Sequence, residues 1–174
     1  MRKMISLILV CLLSLTAVTG CKKAAETPTN KIAENAMFDM TIVDGWEDSS
    51  IPDAGVFMAM TSGADESETG AYLMISYVDA GGQTASAVIE TLKQDAAADE
   101  ATSKKDESSG TFTVGKYTAE YYRVTISSEH GDSFIAVYCF VEGDVIYSFM
   151  TVGTAASYIS TAEGMLASFT LKSK

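Results

Sequence analysis

Side chains able to do covalent or acid–base chemistry are few in this chain and widely separated. The one histidine, His130, sits in the polar turn Ser128-Glu-His-Gly-Asp132 and reads as an exposed turn residue. Beyond the first 21 residues the only cysteine is Cys139, inside the apolar run 134–141, where it reads as a buried, inert thiol. Nucleophilic catalysis needs a nucleophile, a base and an orienting group within reach, and no Gly-x-Ser-x-Gly elbow follows a strand pattern. Zinc asks for three or four nitrogen or sulfur ligands, which one histidine and one usable cysteine do not supply. Oxygen ligands for a divalent ion exist at Asp65, Glu66 and Glu68, and at Asp95, Asp99 and Glu100, without EF-hand spacing; they read as solvated acidic loops. Gly81-Gly82 precedes a helical pattern but lacks the remaining glycines and the lysine of a phosphate loop. The expectation is a non-catalytic protein with no cofactor and no metal.

Aromatic side chains are the remaining functional hint. Tyr117, Tyr121, Tyr122, Tyr138, Tyr147 and Phe149 crowd the second half, and Trp46 is the single tryptophan. Adjacent Tyr121 and Tyr122 must point to opposite faces of a strand. Trp46, Tyr117, Tyr121, Tyr122, Tyr138 and Tyr147 are therefore the candidate binding surface for a peptide, glycan or apolar ligand. Core packing is the competing reading of the same rings.

Location is written more sharply than chemistry. Arg2 and Lys3 precede an apolar stretch, residues 4–17, which is short for a bilayer span and suited to a signal-peptide core. Val18, Thr19, Gly20 and Cys21 then resemble the lipobox of bacterial lipoproteins. That resemblance implies cleavage before Cys21 and acylation of its sulfur, giving a cell-membrane or outer-membrane anchor with the domain outside the cytoplasm. Cleavage would remove two of the twelve basic residues and none of the 23 acidic ones. So acidic a chain repels nucleic acid and anionic headgroups, which leaves the lipid on Cys21 as its membrane contact. Residues 21–35, broken by Pro28, read as a flexible tether, and residues 36–174 as one domain.

The elements follow from periodicity. Phe38, Met40 and Ile42 alternate as a half-buried strand, and strands are expected at 56–60 and 71–77. Ala85, Val88, Ile89, Leu92 and Ala96 fall on one face of a helix capped by Thr84. The stretch 99–110 is charged and reads as a loop. Four strands joined by tight turns at Gly115-Lys116, 128–132 and 142–144 come next, and a helix over 155–167 closes the domain, with a short edge strand after it. Gly164 weakens that helix unless close packing requires the missing side chain. The fold class is α+β, a mostly antiparallel sheet of six or seven strands with two main helices, which can cover one of its faces.

The opening strand followed by Asp44-Gly45-Trp46, the helix after the third strand, and Gly143, Tyr147 and Met165-Leu166-Ala-Ser168-Phe169 at the end resemble the PsbP-like family. That α/β/α sandwich is shared by the photosystem II oxygen-evolving protein, a yeast Ran-binding import factor and many small bacterial lipoproteins. The likeness covers residues 36–171, with Val43 where the family often has proline. It implies a binding role more than a catalytic one. The expected function is a membrane-anchored accessory module for a small ligand, peptide or glycan. The alternatives are an envelope structural or stress-related factor that recruits a partner protein, and a hydrolase using acidic residues or a bound divalent ion.

Overall fold

The computed structural model describes residues 31–34, 37–50, 57–61, 70–98, 103–129 and 131–172. Cys21 and the leader before it, the acidic run 65–68, Asp99, Glu100 and His130 lie outside the described residues. The strands are β1 (Lys31–Glu34), β2 (Phe38–Ile42), β3 (Trp46–Asp48), β4 (Phe57–Thr61), β5 (Ala71–Asp79), β6 (Ser103–Val114), β7 (Tyr117–Ser128), β8 (Gly131–Glu142), β9 (Val145–Gly153) and β10 (Thr170–Leu171). Helix α1 spans Ala85–Ala98 and α2 spans Ala156–Leu166. Seven strands form one antiparallel sheet in the order β3-β4-β5-β9-β8-β7-β6, and β1-β2-β10 form a second, smaller sheet.

Alternation along β8 sets the layers. Ala136, Tyr138 and Phe140 point into the larger core with α2 and the small sheet, while Cys139 and the half-buried Ile135 and Val137 point the other way, toward α1. The two helices therefore lie on opposite faces of the sheet, not on one, because both faces of its long strands are apolar. The arrangement is an α/β/α sandwich. Ile89 is the buried anchor of α1, with Val88 and Leu92 half-buried beside it, and the Thr84 hydroxyl accepts the Ala87 amide at 3.2 Å as the helix cap. The larger core is built on Phe38, Phe149 and Phe169, with Phe38 edge-on to Phe57 at 5.4 Å and Phe149 edge-on to Phe169 at 5.0 Å. Such pairs add about 0.5–1.5 kcal/mol beyond the area they bury.

Two expectations about elements need correction. Residues 31–34, placed in the tether, are a strand paired to β2 from Lys31↔Ile42 to Glu34↔Asp39, so regular structure begins ahead of residue 36. The charged stretch expected as a loop is, from residue 103, the outer half of β6, an edge strand whose exposed polar side chains hide the period-two pattern. The β6–β7 register shifts between Lys105 and Ser108, where Asp106 adopts φ 54°.

Candidate functional site

The turns Gly115-Lys116 and Gly143-Asp144 meet the end of β10 at one edge of the sandwich. Between them opens a cleft of about 480 Å³ whose walls include Met37, Lys116, Tyr117, Glu142, Tyr147 and Lys172. Tyr117 and Tyr147 line it and belong to a row of rings set by register. Phe140 lies opposite Tyr147, and Tyr147 opposite Tyr77, so β8, β9 and β5 place rings side by side, and Tyr117 on β7 completes the row. Tyr117 stacks on Phe140 at 4.4 Å and 3°, Phe140 on Tyr147 at 5.1 Å and 20°, and Tyr147 tilts against Tyr77 at 6.1 Å. Phe140 and Tyr147 are buried while the end rings, Tyr117 and Tyr77, are half-buried. Burial, followed by the proximity of Tyr117, Glu142 and Tyr77, pushes the Tyr147 hydroxyl above its ordinary pKa and keeps it a hydrogen-bond donor.

Both signs of charge rim this cleft. Lys116 Nζ stands 5.2 Å from the Tyr117 ring centre, and Lys172 Nζ pairs with Asp39 at 2.9 Å. Glu142 and Asp144 are exposed on the facing turn. The arrangement offers ring faces, hydroxyl donors and paired charges; it contains no nucleophile beside a base.

The other tyrosines singled out above go elsewhere. Tyr138 is fully buried, and its hydroxyl donates to Glu163 Oε1, the same oxygen that accepts from Arg123 Nη2. Tyr121 lies under the Arg123 guanidinium, 4.6 Å from its carbon. Arg123, Glu163, Asp106, Ser108, Thr125 and Phe134 border a second cavity of about 360 Å³. Tyr122 is on the opposite face, buried beneath α1, where burial and then Glu107 push its hydroxyl up to about 12. Trp46 is 6 % exposed and packs edge-on to Tyr158 at 6.4 Å. The six aromatic candidates thus do not form one surface. Only Tyr117 and Tyr147 share a cleft, because strand alternation and register send the others into the core or to the α1 face.

Sequence reasoning missed Lys116 and Lys172 at the cleft and the rings of Phe140 and Tyr77 packed against Tyr147, since their adjacency depends on strand order. It also missed Arg123 and Glu163. An acidic residue flanking the apolar stripe of α2, as Glu163 flanks Ala162 and Met165, is the signal that marks that pair. Among the described residues no three His, Cys, Asp or Glu side chains converge as a metal site, and no helix is long and apolar enough to cross a membrane.

The fold is that of the PsbP-like and Mog1-like proteins. The Ran-binding protein Mog1p of Saccharomyces cerevisiae aligns with 83 % of this chain and 96 % of its own, at 12 % identity and a TM-score of 0.57. LpqN, involved in cell envelope biogenesis of Mycobacterium tuberculosis, aligns with 84 % of this chain and 90 % of its own, at 11 % identity and a TM-score of 0.57. Cyanobacterial PsbP of Synechocystis aligns with 88 % of this chain and 98 % of its own, at 11 % identity and a TM-score of 0.53. A Bacteroides thetaiotaomicron structure at 14 % identity and a TM-score of 0.54 aligns with 79 % of this chain, which spans 46 % of that one. No family model and no curated protein sequence matches the chain. At these identities the likeness establishes the fold alone.

Proposed function

We propose that the protein is an extracytoplasmic accessory module, held to its membrane by lipid on Cys21, that binds a peptide or glycan non-catalytically in the tyrosine cleft. The observation that carries this reading is the stack Tyr117–Phe140–Tyr147, whose outer rings Tyr117 and Tyr147 line the cleft beside charges of both signs. Ring faces stack on sugars and apolar side chains, and the flanking lysines and carboxylates hydrogen-bond hydroxyls, amides and termini. Titration calorimetry with soluble envelope peptides and oligosaccharides tests it. Binding that weakens at least tenfold in Tyr117→Ala supports the cleft; equal binding in that variant removes it. Anchoring is tested separately, by partition of the whole chain into membranes and its loss in Cys21→Ser.

The second reading is an envelope factor that recruits a partner protein. It is favoured by the fold shared with a Ran-binding protein and with an envelope-biogenesis protein. Crosslinking at the membrane from the Tyr117 position separates the two, a protein adduct favouring recruitment.

A further inference from the structure

The tyrosine cleft leaves one hydroxyl donor and two carboxylates without partners. Tyr147 is 4 % exposed and lines the cleft. Its hydroxyl makes no hydrogen bond with any described residue. The sealed polar atoms that lack a partner are Arg123 Nε and Thr151 Oγ1; the Tyr147 oxygen is not one of them, so it opens to the cleft. Glu142 and Asp144 line the same cleft, are exposed, and form no ion pair among the described residues. Asp79 lies opposite Val145, and the Ala80 amide donates to the Asp144 carbonyl at 2.7 Å, which brings a third exposed carboxylate beside this turn. Little positive charge answers them. Lys172 is engaged by Asp39 at 2.9 Å. Lys116 has no ion pair among the described residues, and its ammonium stands over the Tyr117 ring, 5.2 Å from the centre. Phe140 stacks on Tyr117 at 4.4 Å and 3°, so it covers one face of that ring and the ammonium takes the other. The chain's own lysine thus already occupies a cation seat.

We propose that the cleft takes the basic side chain of a peptide, lysine or arginine, on the outer face of Tyr117, with its charge answered by Glu142 and Asp144. This rests on the tyrosine-cleft reading above and narrows its ligand to a peptide that carries a cation. A ring face attracts an ammonium or guanidinium, and two carboxylates in the same cleft, without cations of their own, supply the charge-assisted hydrogen bonds. The unpartnered Tyr147 hydroxyl is left to donate to a backbone carbonyl of the peptide. Lys116 is the stand-in that the ligand displaces, since it reaches the ring on a flexible stem from an exposed turn position. The formal charge of −11 draws a basic peptide toward the protein and repels an acidic one. A neutral sugar would leave both carboxylates without counter-charge.

Three peptides of one sequence, Gly-Gly-X-Gly-Gly with both ends blocked and X as lysine, norleucine or glutamate, separate charge from bulk. Each is titrated into the whole protein in a neutral detergent and followed by nuclear magnetic resonance. The lysine peptide should bind about fivefold or more tighter than the other two, moving the amide signals of Lys116, Tyr117, Glu142 and Tyr147. Glu142→Gln combined with Asp144→Asn should weaken it about threefold or more. Lys116→Ala vacates the ring face and removes a like charge, so it should tighten the lysine peptide about twofold or more. Looser binding in Lys116→Ala would show that this lysine holds a carboxylate of the ligand, and it overturns the proposal, as does unchanged affinity in either variant. A lysine peptide that binds no tighter than the norleucine or glutamate peptide also overturns it, and that comparison on the unaltered protein decides the question even where a variant does not fold. If those peptides or an oligosaccharide still bind and lose affinity in Tyr117→Ala, the cleft stands and only its preference for a cation falls. If nothing binds through Tyr117, both readings fall together.

Discussion

Ser168 supplies to Thr41 the hydrogen bond that a longer β10 would have made. Thr170 pairs with Asp39 and Leu171 with Phe38, so the register places Ser168 opposite Thr41, just beyond the end of the strand. There the Ser168 hydroxyl accepts the Thr41 amide at 2.9 Å across 127 residues of sequence and donates to the Met165 carbonyl at 2.7 Å. One side chain thus closes the end of α2 and the edge of β2 together. Ser168→Ala leaves both groups without that partner, and we expect a loss of about 1–2 kcal/mol. Urea unfolding should show a lower midpoint at unchanged slope; an unshifted midpoint would mean that solvent satisfies both groups.

Two glycines should respond with opposite signs. Gly115 has φ +55° in the β6–β7 turn, its amide donates to the Leu166 carbonyl at 2.9 Å, and a Cβ there would stand 1.9 Å from the Phe169 carbonyl oxygen. Gly115→Ala must displace the backbone that follows α2 and should cost about 3 kcal/mol or more. Gly164 is exposed in the last turns of α2 with nothing within 4 Å of a Cβ, so close packing is not the reason for it. Gly164→Ala should raise stability by about 0.5–1 kcal/mol through helix propensity. Thermal melts of both variants read the contrast directly.

Glu163 holds two partners on one oxygen, Arg123 and the fully buried Tyr138. Its side chain is 18 % exposed, so the ion pair is partly screened and the Tyr138 hydroxyl carries much of the penalty for its removal. Glu163→Ala should cost about 2 kcal/mol, and Glu163→Gln, which keeps an acceptor oxygen, about half of that. Equal losses in the two variants would show that charge, not the hydroxyl's acceptor, matters here.

Alkaline pH should unfold the protein early. Burial pushes Tyr72 and Tyr122 up to about 12 and Cys139 up to about 11, and burial with Glu163 raises Tyr138 as well. The unfolded chain ionises these groups near their ordinary values of 9.0 and 10.0, so above about pH 9 it binds fewer protons than the folded chain. Stability is therefore full below pH 9 and falls as pH climbs toward 12. Tyrosine absorbance near 295 nm should rise together with loss of the folded circular dichroism signal; ionisation of all tyrosines in a protein that stays folded would contradict this.

Periodicity made much of this fold legible. The alternation at Phe38, Met40 and Ile42, the α1 stripe with its Thr84 cap, and the two-residue turns at Gly115-Lys116 and Gly143-Asp144 each encode one local geometry. The outer half of β6 was not legible, because an edge strand with solvent on both faces needs no alternation, and its pairing comes from β7. Nor was the aromatic row. Tyr77 and Tyr147 lie seventy residues apart and meet only because β5 pairs with β9, a long-range choice that no window of sequence contains. Residue types named the aromatics, but strand order decided which two would share a cleft.

Cys139 connects that local reading to dynamics. It has no exposed surface, it lies in the cluster capped by Ile89 of α1, and its sulfur is 3.4 Å from the Ser148 hydroxyl. Burial outweighs that contact and raises its pKa to about 11, so at neutral pH little thiolate exists and none of it faces solvent. Labelling by a thiol reagent should then require α1 to lift, which makes the labelling rate a gauge of one helix leaving one side of the sheet. Ile89→Ala removes the buried anchor of α1 and should speed labelling by about tenfold or more. Ser168→Ala, whose effect lies on the other face, should speed it only in proportion to its loss of global stability. Equal acceleration in the two variants would mean that Cys139 is reached by global unfolding alone; fast labelling of the unaltered native protein would mean that α1 does not seal the thiol at all.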